Sequence, residues 1–283
     1  MSHDISAQAN PLLKYFVESA TYTFTERVIS IFKFGSLGTH GDFSLCSDVD
    51  VAVMLDAVSS TDQLAIEGIW NKIKDCGLAY ADRLSVFWSS YDPKVFAKGI
   101  GRFPALDRLD IFNGILLTGV DRRQELPKPE HKDLVLESAH FISSFMLTKE
   151  KLGNLILYPE IILKNGTRYL TKFVLFPVRL IFTLNHPNQI GSNKDAVDHF
   201  NCSWGNQLPK TKNIVNLAYQ MRNCSPYAEV KVDTHELKSS LIALHLYCIE
   251  RYEQAVQNLG EFQEANRLKA EKERLLNLVS HVI

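Results

Sequence analysis

Several features that would settle a protein class quickly are missing from this 283-residue sequence. It has five cysteines, Cys46, Cys76, Cys202, Cys224 and Cys248, odd in number, widely scattered and without a Cys-x-x-Cys pair. That excludes a disulfide framework and a zinc knuckle and points to reduced thiols in a cytoplasmic protein. Its nine histidines show no His-x-x-x-His spacing, so they read as surface or core residues. No sign of charge prevails: 31 Lys and Arg face 32 Asp and Glu, a net charge of −1. Bulk attraction to nucleic acid or to an anionic membrane is therefore not indicated, and a polynucleotide substrate would need a local basic patch. The start, MSHDISAQAN, lacks a basic segment followed by an apolar one, so no signal peptide is expected. The most apolar stretch, around Leu170 to Leu184, contains Lys172, Pro177 and Arg179 and is too short and too charged to span a bilayer. There is no internal repeat and no low-complexity tract.

What is present is ordinary globular material: 46% hydrophobic and 22% charged residues, enough apolar surface for a real core in one large or two medium domains. Asn10-Pro11 reads as an N-cap followed by a first-turn proline. Leu12, Leu13, Phe16, Ala20 and Phe24 then recur at helical spacing to about Glu26. Val28–Phe34 and Val49–Leu55 are apolar and β-rich, as is Arg83–Trp88. A helix with apolar residues Leu64, Ile66, Ile69, Trp70 and Ile73 is expected between the last two, capped from Ser59–Asp62 and ending near Gly77. A short helix is expected from Asp92-Pro93, and 109–117 reads as a strand or a helix-to-strand segment. Leu126-Pro127-Lys128-Pro129 is the best domain boundary, because two prolines flanked by charges stop regular structure. Beyond it the pattern turns helical, over roughly 131–150, 152–163, 166–185, 193–201, 209–223 and 233–259, with a charged helical tail. The clearest of these helices opens on a capping box of Asp233 and Glu236 and carries the stripe Leu237, Leu241, Leu244, Cys248, Tyr252, Ala255 and Leu259. The expected class is α/β (α+β): a small mixed sheet with helices on one face over 1–126, then an all-helical bundle over 127–283.

The most informative stretch is Phe32 to Leu55, FKFGSLGTHGDFSLCSDVDVAVML. A strand ends abruptly at Gly35-Ser36, and a loop leads to Asp48-Val-Asp50 at the head of a second strand. Strand side chains alternate, so Asp48 and Asp50 point the same way. Two carboxylates on one face repel unless a cation sits between them, and a divalent metal is the usual solution. Gly35 lets the backbone approach a phosphate closely. Ser36 offers a hydroxyl and an amide to it. Taken alone, the turn and the acids also read as a plain loop with a capping aspartate.

Apolar strand, Gly-Ser, spacer, Ser-Asp-Val-Asp and apolar strand together resemble the signature of the nucleotidyltransferase (DNA polymerase β-like) superfamily. The resemblance implies that Gly35, Ser36 and Ser47 contact a nucleoside triphosphate and that Asp48 and Asp50 bind Mg2+. It also implies a third carboxylate on a neighbouring strand, as metal ligand or general base. The residue aligned with that acid in ADRLSVFWSS is Ser85, which cannot take a proton as a carboxylate would. Asp82 serves only in a different register, and otherwise is a strand-start residue paired with Arg83 or solvent. Phe103, Trp88 and Tyr91 could flank an adenine ring or simply belong to the core.

The second half, RYLTKFVLFPVRLIFTLNHPNQIGSNKDAVDHF and then QLPKTKNIVNLAYQMR, resembles the helical domain of the streptomycin/spectinomycin adenylyltransferases in order and spacing. The resemblance implies a domain that binds the acceptor and closes the site, with Asp195 as an acceptor-binding acid and a second acid expected one turn later, where His199 aligns. Asp195 reads equally as an acid favoured by a helix N-terminus. Arg168, Lys172 and Arg179 fall within about 40° of one another at ~100° per residue. The first two either bind a triphosphate or lie along the surface. The leading expectation is transfer of NMP, AMP from ATP by resemblance, onto a hydroxyl of an acceptor. That acceptor is either a small molecule of aminoglycoside type or, as in nucleotidyltransferase toxins, a protein or tRNA. The rival is a non-catalytic nucleotide-binding or partner-binding module, which Ser85 keeps open.

Overall fold

A computed structural model describes residues 5–38, 41–148, 151 and 158–280. The chain divides into two compact units, Met1–Pro129 and Glu130–Ile283, with the break just past the second proline of the linker.

The first unit is built on a four-stranded mixed sheet in the order β3-β2-β1-β4. Its strands are β1 (Val28–Phe34), β2 (Val49–Leu55), β3 (Leu84–Ser90) and β4 (Ile115–Gly119). β1 pairs antiparallel with both β2 and β4, and β2 pairs parallel with β3. Period-two alternation sorts the side chains between the faces. Ile31, Val49, Val51, Val53, Leu84, Val86 and Trp88 form one core with α1 (Asn10–Phe24) and α2 (Asp62–Lys74). Phe32, Phe34, Ala52, Met54 and Phe87 form a second core on the opposite face. That face is not bare, as the one-sided expectation had it. The segment containing α3 (Pro93–Ala97) and α4 (Ala105–Asp110) supplies Phe96, Phe103 and Ile111 to cover it.

Details of the helices differ from the sequence reading. A 3-10 turn, Ile5–Ala9, precedes α1, so Asn10 is its first residue and not its cap. α2 buries Ile66, Ile69 and Ile73, while Leu64 is 70% exposed. Leu64 lies two residues, about 200° of helix rotation, from Ile66 and so on the far side. The inward place near the start of α2 goes to Asp62, whose carboxylate accepts from Arg27 Nη1 and Nη2 at 2.7 and 3.0 Å. The segment 109–117 divides into the end of α4, a 3-10 turn (Ile111–Asn113) and the start of β4. Trp88, Tyr91 and Phe103 are 6%, 5% and 1% exposed, so they are core residues and offer no face to a base.

The described part of the second unit is helical throughout: α5 (His131–Phe141), continuing into a π-helical turn (Ile142–Met146), α6 (Pro159–Lys164), α7 (Thr167–Asn185), α8 (Asn193–Cys202), α9 (Pro209–Met221), α10 (Thr234–Asn258) and α11 (Phe262–Ser280). Of the helix expected over 152–163, residues 152–157 lie outside the described residues. α10 forms the spine of this unit. Leu237, Leu241, Leu244, Cys248 and Tyr252 are wholly buried, and the stripe then runs on through Val256 while Leu259 turns outward. Asp233 caps it by accepting from Glu236 N at 2.7 Å. Tyr252 Oη donates to the Leu180 carbonyl at 2.8 Å, tying α10 to α7, which runs through Pro177 without a break. No described helix is long and apolar enough to cross a membrane.

Candidate active site

The end of β1 and the start of β2 meet where the sequence places its glycine and its second aspartate. Phe34 pairs with Asp50 across the two strands. Gly35 follows with φ +65° and opens a 3-10 turn, Gly35–Leu37, closed by Gly38 N donating to the Gly35 carbonyl at 3.0 Å. A Cβ added to Gly35 would lie 2.5 Å from Asp50 Oδ2. Glycine is therefore required twice over, for a left-handed backbone and for the space the carboxylate fills. The turn and the aspartate form one constellation, although the loop separates them in sequence.

Asp48 stands immediately before β2, at the end of a loop with its own scaffold. Ser47 N donates to the Ser44 carbonyl at 3.1 Å, and Ser44 N donates back to Ser47 Oγ at 3.0 Å. Ser47 is buried, with its hydroxyl 3.1 Å from that of Ser44, so these observed contacts shape the loop. Arg83 pins the same loop from the start of β3. Its guanidinium donates to the Leu45 carbonyl and lies over the Tyr80 ring, 4.3 Å from the centroid, and Tyr80 packs in turn on Phe43. From the sequence Arg83 reads as the first residue of an apolar strand and a partner for Asp82. Its sole signal was a charge at the mouth of an apolar strand, yet it is a buried arginine that positions the loop leading to Asp48.

β2 and β3 are parallel with Asp50 paired to Ser85, so the row across three strands reads Phe34, Asp50, Ser85 on one face. A hydroxyl stands beside Asp50 where the superfamily pattern has its third acid. Asp82 lies in the turn Ala81–Arg83 ahead of β3, exposed and 3.4 Å from Arg83 Nε. Among the described residues no group of three or more His, Cys, Asp or Glu side chains comes together as a metal cage. Two half-buried carboxylates beside a glycine turn are still the donor set Mg2+ accepts. It binds through one or two carboxylates and completes its octahedron with waters and substrate phosphates. The residues present fit a magnesium ion carried with a nucleotide better than a resident structural metal.

In the second unit Arg168, Lys172 and Arg179 are all half-buried on α7, at positions that share a face with Phe176. Asp195 is the N3 residue of a capping box at α8. Ser192 N and Oγ donate to its Oδ2 at 3.1 and 2.7 Å, and Asp195 N donates to Ser192 Oγ at 3.0 Å. Asp198 is ion-paired with Lys194 at 2.6 Å. His199, at the place of the expected second acid, lies 3.1 Å from Asn185 Nδ2 through its Nε2. Burial and the neighbouring His186 hold its pKa below the ordinary histidine value, which favours the neutral ring.

No family model matches the sequence, and no curated protein matches it. Among solved structures the chain is similar to the crystal structure of spectinomycin adenyltransferase AAD(9) from Enterococcus faecialis with ATP and spectinomycin. The TM-score is 0.55 at 14% identity, over 86% of this chain and 99% of that one. The likeness establishes the fold: a small mixed-sheet unit followed by a helical unit.

Proposed function

We propose that the protein is a magnesium-dependent nucleotidyltransferase that moves AMP from ATP onto a hydroxyl group of an acceptor. One observation carries this reading: Gly35 is packed so closely against Asp50 that a methyl group would collide with the carboxylate, which couples a phosphate-approaching turn to a metal-binding acid. The shared fold with an adenylyltransferase solved with ATP supports it.

In the proposed reaction the acceptor oxygen forms a bond to the α-phosphorus, the bond from that phosphorus to the bridging oxygen breaks, and pyrophosphate leaves. Asp48 and Asp50 would hold Mg2+, which supplies positive charge to the phosphate oxygens and lowers the pKa of a bound hydroxyl. Gly35 keeps the turn close to the triphosphate, and Ser36 presents its hydroxyl and amide to it. Ser47 and Arg83 shape the loop that aims Asp48. Arg168 and Lys172 of α7 are the proposed cationic partners of the leaving pyrophosphate, whose developing charge they would offset. Ser85 has no basic form at neutral pH, so the acceptor's proton leaves to solvent and not to position 85. Asp82 is retained as a catalytic candidate only through a rearrangement of its turn, and Asp195 as an acceptor contact through the exposed side of its carboxylate.

A second reading, a module that binds nucleotide without transferring it, is favoured by the hydroxyl of Ser85 standing beside Asp50. Titration of labelled ATP with Mg2+ into wild type and the Asp48→Ala/Asp50→Ala double variant tests the site. Tight binding by the wild type alone is expected, and equal binding would overturn the assignment. Release of pyrophosphate from ATP in the presence of hydroxyl-bearing acceptors then separates transferase from module.

A further inference from the structure

The second unit contains a cavity, open to solvent on one side, of about 410 Å³ between the start of α5, the end of α7 and the last turns of α10. That is within the range of small-molecule sites, roughly 300–1,000 Å³. Its polar lining is His131, Asn185, Arg251, Gln254 and Asn258, and the remaining lining side chains are aliphatic. No carboxylate lines it, so its one fixed charge is the Arg251 guanidinium.

These donors are largely uncommitted. Among the described residues Arg251 has no ion-pair partner, and the amides of Gln254 and Asn258 have no side-chain partner. His131 Nδ1 is shielded from solvent and makes no hydrogen bond. The nearby acids are engaged elsewhere. Asp133 Oδ2 accepts from Glu130 N at 3.0 Å within the cap of α5. Glu253 pairs with Lys272 and Glu261 with Lys132, each at 3.0 Å. A cation, a histidine and two uncommitted carboxamides, with Asn185 shared with His199, around an aliphatic floor suit a planar or tetrahedral oxyanion, which accepts hydrogen bonds from every side.

We propose that this cavity binds a small molecule through a phosphate or carboxylate group, with Arg251 as its charged anchor. The inference rests on the second unit alone and does not depend on nucleotide transfer. A polycation, by contrast, would find no anion in the lining.

Isothermal titration of the full chain with inorganic phosphate and with citrate, against sodium chloride of matched ionic strength, tests it. Saturable one-to-one binding of at least one probe is expected, and the tighter probe identifies the anion. Arg251→Ala is expected to weaken that binding at least tenfold, with Arg251→Lys recovering part of the loss, since a lysine keeps the charge but not the fork. Arg251 is exposed, so its replacement leaves the fold intact. Binding in the Asp48→Ala/Asp50→Ala variant is expected to match the wild type. Absence of saturable binding in the wild type, equal affinity in Arg251→Ala, or loss of binding in the double-aspartate variant would each overturn the proposal.

Discussion

The turn at Gly35 and the helix surface around Asp195 present acids of similar prominence in sequence and opposite standing in structure. At the sheet, pairing lines up Phe34, Asp50 and Ser85 across three strands, and Gly35 makes room for a carboxylate. The strands fix that row, and part of its cost is a left-handed turn that only glycine takes easily. On α8 the polar side chains find partners within one turn: Asp195 with Ser192, Lys194 with Asp198. Helical geometry supplies such i+3 and i+4 partners routinely. A polar residue that spends its hydrogen bonds next door carries less information about function than one held in place by distant strands.

The largest expected effect tests the sheet half of this contrast. Gly35→Ala forces an alanine into φ +65° and puts its methyl 2.5 Å from Asp50 Oδ2. The left-handed backbone costs about 1–2 kcal/mol, and a displaced charge-assisted contact a further ~1.5–3 kcal/mol. Affinity for ATP with Mg2+, measured by titration, is expected to fall about 100-fold or more, every ~1.4 kcal/mol being tenfold. A fall in melting temperature with unchanged nucleotide affinity would separate the turn from the site.

The helical unit has its own deeply placed polar residue, and its effect is on stability. His245 is fully buried on α10, donates from Nδ1 to the Leu241 carbonyl at 2.7 Å, and has no partner for Nε2. Burial pushes its pKa down to about 4. The unfolded chain takes up this proton near pH ~6.5 and the folded chain near 4, so the folded state binds fewer protons between those values. Stability from this group is full above pH ~6.5, falls by ~1.4 kcal/mol per pH unit on acidification, and is flat below pH 4, a total of about 3 kcal/mol. Urea unfolding of wild type and His245→Gln across pH 4–7 reads the difference, and parallel curves would break the assignment.

Ser85→Glu is expected to have an intermediate effect, of about 1.4 kcal/mol, the equivalent of one pKa unit between like charges. The added carboxylate beside Asp50 should lower the melting temperature in EDTA and restore it with Mg2+, beyond any response of the wild type. An equal Mg2+ response in both proteins would mean that position 85 does not face the acids.

The strands β1 and β2 and the placement of the Gly-Ser turn near Asp50 were legible because apolar β-rich runs and a glycine with a role leave few alternatives. The cover on the second face was not, since Phe96, Phe103 and Ile111 sit in a short helix, a loop and a 3-10 turn with no sustained period. Leu64 was misplaced because a helix stripe shifts by ~100° per residue, so a plausible apolar neighbour lands on solvent. Arg83 and Arg251 were invisible for a common reason. An arginine's role is set by what lies within reach of a long side chain, and only the folded chain brings the Leu45 carbonyl to one and a cavity to the other.

The smallest effect bears most directly on the contrast. Asp195→Ala removes the returning half of the α8 capping box, and is expected to cost about 1 kcal/mol of unfolding free energy. The cap is local, so ATP affinity should not change, and Asp195→Asn, which keeps an oxygen for Ser192, should recover part of the loss. Binding of an aminoglycoside by calorimetry separates the two roles of this acid. An acceptor contact loses affinity in Asp195→Asn as in Asp195→Ala, because the charge is gone from both. A cap tracks the side-chain oxygen instead. Lost affinity with unchanged stability in both variants would reverse the ranking of the two regions and place the informative acid on the helix.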